Sequence, residues 1–272
     1  MKHYLRNGKI PIVILLLAMI VHSIVDSISV TALFNWHAME IIIAGILLSV
    51  IVGFSFQTFI DTAMLIRKSF REPVNYENDI RKVHQVAIKV KKDGLLSLNK
   101  DIADEEDSFL RDALVLLNDY KKEESIRDVM EKDIESRQTN LFRSYNLLKV
   151  VSYVAPSFGL IGTLIGMIGL LSHLDQTQAI MNHMATALVS TLYGSLIASF
   201  VAVPLMVRIK EYNEKIILRY QIIMEGILLI ACNDSTRNVF DKMNVMLDEE
   251  DRLDYPGRQN KERNMLQYGS EV

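Results

Sequence analysis

The chain has 272 residues, of which 50% are hydrophobic and 23% charged, with 30 Lys+Arg against 33 Asp+Glu and a formal charge of −3; its mean hydropathy is +0.17. Such proportions coexist only when apolar and charged residues are segregated along the chain, and the balanced charge gives no sign of a nucleic-acid partner. The single cysteine, Cys232, excludes an internal disulfide and a cysteine-based metal cluster.

In chain order, the first apolar run covers residues 10–34 and the second 39–60. Each is long enough to cross a bilayer, which takes about 20 helical residues. The first follows Lys2, Arg6 and Lys9 but is too long for a signal peptide, so it reads as a retained span. Asp26 is the acid expected in the first pair of spans, toward the outer end of the first, and it and His22 read as ordinary interfacial or inter-helix polar residues.

From Arg67 to Lys149 the chain turns polar with the two charge signs nearly balanced. Ile80, Val83, Ala87 and Val90 recur at helical spacing, with Gly94 as the stop. Phe109, Leu110, Ala113, Leu114 and Leu117 form a second stripe, and Ile126, Val129, Met130 and Ile134 a third. A small helical domain is therefore expected over 67–149.

Two further spans are expected at 150–171 and 184–207, followed by a helix through "RIKEYNEKIILRYQIIMEGILLIA" and a short one at "NVFDKMNVML". From residue 248 the periodicity is lost, and 248–272 reads as a disordered tail. Lys and Arg crowd one side of every span: Arg67, Lys68 and Arg71 after the second, Arg143 and Lys149 before the third, Arg208 and Lys210 after the fourth. The connectors 35–37 and 172–183 hold none. This asymmetry puts both termini and the middle segment in the cytoplasm. The fold class is thus an all-α, four-span integral membrane protein, with a helical cytoplasmic domain between spans two and three and a cytoplasmic C-terminal helix. Its divisions are 1–66, 67–149, 150–207, 208–247 and the tail.

No phosphate loop, metalloprotease motif or nucleophile elbow occurs, and His3, His22, His37, His84, His173 and His183 have no ligand spacing. An enzyme is not indicated, and no cofactor or bound metal is expected. The informative stretch is "APSFGLIGTLIGMIGLL", with Pro156, Thr163 and the glycines Gly159, Gly162, Gly166 and Gly169. Pro156, Gly159, Thr163 and Gly166 share one helical face; in the fourth span Ala187, Thr191, Gly194 and Ala198 do the same, with Pro204 near its end. Small residues let helix backbones approach, and threonines hydrogen-bond across or back to the backbone. The same hydroxyls, with carbonyls that a proline releases, are also hard oxygen ligands for a dehydrating cation. Packing and an ion pathway both fit this spacing. Membrane ion transfer normally needs a carboxylate, and neither of these spans contains one, since Asp175 lies in the connector. If ions cross here, the acid belongs to another chain.

"YVAPSFGLIGTLIGMIGLLSHLD" and "MATALVSTLYGSLIASFVAVPLMVRI" resemble the third and fourth membrane helices of MotA-type flagellar stator proteins, within the MotA/TolQ/ExbB family. The likeness extends over roughly residues 39 to 247. It implies a ring of five such chains in the bacterial inner membrane around a MotB-like, single-span, peptidoglycan-binding partner that supplies the ion-accepting Asp. Cytoplasmic loops would then push on the rotor protein FliG. On this resemblance Pro156 and Pro204 are structural prolines, and Thr163 and Thr191 line the ion pathway with Ser190 and Tyr193 of "STLYG". The basic rotor contact falls on Lys91. The acidic one falls on Asn99, a departure that Lys100 or Asp101 would have to offset. "STLYG" looks more like the sodium-type than the proton-type form, so transported Na+ is favoured over H+. The resemblance leaves two alternatives open: a TolQ/ExbB-like energiser of another envelope process, and a non-conducting scaffold.

Overall fold

The computed structural model describes residues 15–16, 18–19, 22, 34–71, 73–119 and 122–256. The first expected span therefore lies largely outside the described residues, as does Asp26. Among those described there are helices and turns but no strand. Among the described residues, three helical stretches are long and apolar enough to cross a membrane: Trp36–Gly53, Glu123–Leu171 and Thr177–Ala231.

Helix α1 spans Trp36–Gly53, and Asn35 caps it by accepting the Ala38 N–H at 3.0 Å. The expected span 39–60 is thus really a shorter helix. Phe54 is extended at φ −135°, ψ 151°. Ser55 then opens α2 (Phe56–Arg71) by accepting the Thr58 N–H at 3.3 Å. The break needs no proline, because a serine that offers its hydroxyl to the next turn is enough to restart a helix.

Then come α3 (Tyr76–Asp93), a 3₁₀ turn (Leu95–Leu98), α4 (Asn99–Asp104) and α5 (Ser108–Asn118). Gly94 ends α3 with φ 79°, a conformation a side chain would strain. Helix α6 runs from Glu123 to Leu171. The third cytoplasmic stripe and the third span are therefore one helix, and Val129 is not part of a buried face, being 41% exposed. Helix α7 is Thr177–Leu196, followed by a π-helical turn at Ile197–Ala202, then α8 (Val203–Ala231) and α9 (Thr236–Val245). Pro204 explains that turn. It has no N–H for the Phe200 carbonyl and its ring crowds that carbonyl, so the preceding turn widens.

The described residues form two compact units, Met1–Ile60 with Asn146–Val207, and Asp61–Tyr145 with Arg208–Val272. In the second, the stripes of α3 and α5 meet Ile222, Ile223 and Ile227 of α8 and Phe240 and Met243 of α9 in a continuous core. Gly226 lets α8 and its neighbours close, since a Cβ there would lie 2.6 Å from Val83 Cγ1. Residues 248–256, expected to be structureless, fold back here: Asn244 Oδ1 accepts the Leu253 N–H at 2.7 Å, and its Nδ2 donates to the Leu253 carbonyl at 2.9 Å. The remainder of the expected tail lies outside the described residues.

One ionic centre ties this unit together. Arg219 donates to both Asp79 oxygens, at 2.6 and 2.9 Å, and reaches Asp107 at 2.8 Å. The Asp79 side chain is only 5% exposed. The two carboxylates drive the Arg219 pKa well upward. Burial opposes ionisation of Asp107, but the Leu110 N–H and Arg219 outweigh it and hold its carboxyl below the usual range. Arg219→Ala leaves a buried carboxylate without its cation, a change that costs about 3–5 kcal/mol. A clear fall in the thermal midpoint of the purified chain is expected, with much smaller falls for the exposed i,i+4 pairs such as Lys132–Asp128.

Candidate functional site

The site lies in the first unit, where α6 and α7 pack along their small-residue stripes. A Cβ on Gly159 would stand 3.0 Å from the Ser190 carbonyl oxygen and 3.4 Å from Gly194 Cα. On Gly162 it would meet Ser190 Cβ at 2.5 Å, on Gly166 Ala187 Cβ at 2.7 Å, and on Gly194 the Ala155 carbonyl oxygen at 2.5 Å. Gly169 sits against the His183 ring. The stripe that could have served a neighbouring chain is filled by the same chain's α7, and the two backbones approach because nothing projects between them. Gly45 of α1, which the helical spacing did not single out, does the same for the Phe158 ring.

Packing those stripes brings Thr163 and Thr191 together. Their hydroxyls hydrogen-bond to one another, and Thr163 Oγ1 also donates to the Gly159 carbonyl at 3.2 Å or the Ala187 carbonyl at 3.1 Å. One hydrogen cannot serve all these acceptors at once. The cluster thus holds more oxygen lone pairs than protons, the character of a cation or proton-donor site. Thr163 is half-buried and Thr191 exposed, so the oxygens open to one side of the helix pair. Pro156, half-buried in α6 without interrupting it, offers no N–H to the Ser152 carbonyl.

The other expected pathway residues divide. Ser190 is fully buried against Gly162 and donates to the Thr186 carbonyl at 2.6 Å, the geometry of a packed hydroxyl. Tyr193 lies on another side, where its hydroxyl accepts the Asn35 N–H at 3.4 Å; Asn35 Nδ2 also donates to Thr186 Oγ1 at 2.9 Å. Asn35 and Thr186 therefore tie the start of α1 to α7. The signal for Asn35 was available, an Asn directly before an apolar helical run. Glu40 was also passed over: it is a carboxylate in the second span and lies exposed on α1.

In the second unit, Lys91 Nζ donates to the carbonyls of Asn233 and Asp234 at 3.2 and 2.9 Å, capping the end of α8. Asp101 is paired with Lys89 at 2.6 Å. Asn99 accepts from Asn118 Nδ2 at 3.1 Å, and Lys100 is exposed. Of the residues expected at a rotor contact, Asn99 and Asp101 thus lie where α3, α4 and α5 meet, whereas Lys91 is engaged at the turn between α8 and α9. Among the described residues no cluster of three metal-ligating side chains occurs.

The profile of the MotA/TolQ/ExbB proton channel family matches residues 101–222. The motility protein A of Bacillus subtilis (strain 168) is 27% identical over 252 residues, covering 92% of this chain and 93% of the relative. That of Treponema phagedenis is 27% identical over 225 residues, covering 82% and 87%. The solved flagellar MotAB stator complex from Bacillus subtilis contains a chain of the same fold, with a TM-score of 0.77 and 27% identity over 89% of this chain and 96% of that one. Profile, relatives and fold agree with the resemblance carried by the two small-residue spans: the chain is similar to MotA-type members of the MotA/TolQ/ExbB proton channel family, by profile over residues 101–222 and by sequence over most of its length.

Proposed function

We propose that this chain is a flagellar stator subunit that couples inward ion flow to rotor torque. The observation that carries the reading is the Thr163–Thr191 oxygen cluster, open to one side of two packed spans, 150–171 and 184–207, that contain no carboxylate of their own. Such a site is half of an ion-transfer device, and the missing half is an acid on another helix. A MotB-like, single-span, peptidoglycan-anchored partner supplies that aspartate, and five copies of this chain surround it in the inner membrane with both termini in the cytoplasm. The relatives named motility protein A and the solved MotAB complex support the assignment. The cytoplasmic domain, 67–149, meets the rotor protein FliG through Lys91, Asn99, Lys100 and Asp101. The chain conducts ions and catalyses no covalent chemistry.

The transported ion is Na+, ligated in passing by the threonine hydroxyls and the Gly159 and Ala187 carbonyls. Cells with this chain as their only stator subunit are expected to slow severalfold when Na+ is replaced by K+ at fixed pH. Unchanged speed, with arrest by a protonophore, would reassign the ion to H+ and leave the stator reading intact. Undiminished motility in cells lacking the chain and every related stator would overturn the reading itself.

A further inference from the structure

We infer that residues 247–256 form a pH-sensitive strap, closed over α3 and α9 while His84 is neutral and released when His84 is protonated. His84 lies on α3 and is 5% exposed, with no hydrogen-bond partner for Nε2. It occupies one corner of a three-ring cluster whose members come from three elements: His84 to Phe240 of α9 at 5.4 Å, His84 to Tyr255 of the strap at 5.5 Å, and Phe240 to Tyr255 at 5.3 Å, all edge to face. Beyond this cluster the strap is held by the Asn244 clamp on Leu253, by buried Leu247 and by the Arg237 guanidinium 5.2 Å from the Tyr255 ring. The strap has no helix or strand of its own beyond the short turn Glu249–Asp251, so it is the kind of segment that opens locally while the helices behind it stay folded.

The charges around the imidazole disfavour a second proton. Burial lowers the His84 pKa below its ordinary value, and Arg81, on the same helix, lowers it further. On α9, Arg237 is cationic and Asp241 is engaged with it at 3.4 Å. The strap's Asp248 and Asp251 act on Tyr76, which burial and those two carboxylates push up to about 12. Tyr76 therefore stays neutral throughout the range in which His84 titrates. With the closed-state pKa depressed, closure is at full strength above the ordinary histidine value of about 6.5 and weakens as pH falls below it. In that window one extra proton in the open state shifts the balance towards opening by up to about tenfold per pH unit.

Hydrogen–deuterium exchange of the full chain in lipid nanodiscs, corrected for intrinsic rates, tests this. Exchange at 247–256 should rise several-fold between pH 7.5 and 5.5, while the buried positions of α5 stay unchanged. His84→Phe, which keeps a ring in the cluster but cannot be protonated, should abolish the rise. Should that variant not fold, exchange at the His84 C2 carbon of the unmodified chain follows the same protonation directly, with a midpoint expected below the ordinary histidine value; a midpoint at or above that value would count against the strap. A strap whose protection is the same at both pH values, or a rise that persists in His84→Phe, would overturn the proposal.

Discussion

Thr163→Val and Thr191→Val are each expected to reduce swimming at least tenfold while leaving the folded protein intact. The replacement preserves shape and removes one hydroxyl. Hydrogen bonds between membrane helices contribute about 0.6 kcal/mol each on average, so losing the one from Thr163 Oγ1 to the Ala187 carbonyl, or the one between the two hydroxyls, weakens the α6–α7 pair only slightly. Ion transfer is more exposed to the change. An oxygen cluster that loses a hydroxyl no longer replaces the hydration of a cation or stabilises a protonated acid, and an uncompensated charge within a membrane costs several kcal/mol. Thr→Ser at either position restores the oxygen and should retain most of the function. Full swimming speed in both valine variants would show that the threonines only pack helices, as a non-conducting scaffold requires.

The second large effect is structural. Gly194→Leu should prevent the first unit from assembling, and Gly194→Ala should weaken it measurably. The new Cβ would meet backbone: the Ala155 carbonyl oxygen at 2.5 Å and Gly159 Cα at 3.1 Å. A flexible side chain could swing away, but two helix backbones must separate bodily, and overpacking of this kind costs about 1–3 kcal/mol for small insertions and more for large ones. Separating α6 from α7 also parts Thr163 from Thr191, so Gly194→Ala should lose motility along with thermal stability. Gly53→Ala is the matched control, since nothing lies within 4 Å of its Cβ position. Thermal midpoints in detergent, read with swimming speed, distinguish this outcome from the threonine one. The glycine variant moves both, whereas the valine variants move speed alone.

The sequence was most legible where a repeating pattern met one large force. Burial of the stripes on α3 and α5 followed their spacing, because an apolar face on a water-exposed helix has only the core to enter. Gly94 stopped α3 as expected, since its positive φ suits no other residue as well. Pattern was a poorer guide where small local terms compete. A serine cap cut the second span short at Gly53, although hydropathy ran on through Ile60. Continuity of α6 across the polar and apolar segments was hidden because hydropathy changes along a helix without interrupting its hydrogen bonds.

The sequence by itself determined the apolar spans at 150–171 and 184–207, their small-residue faces and the absence of an acid within them. These follow from composition and periodicity, which membrane and water read directly. Only the tertiary structure decided what each face touches. It placed the glycines against α7 of the same chain, buried Ser190, turned Tyr193 towards Asn35, and joined Thr163 to Thr191 across the helix pair. It also folded Tyr255 onto His84. Helical spacing fixes an angle around one axis, whereas a contact depends on the distance and rotation of a second axis, and those are set by packing that no single helix encodes.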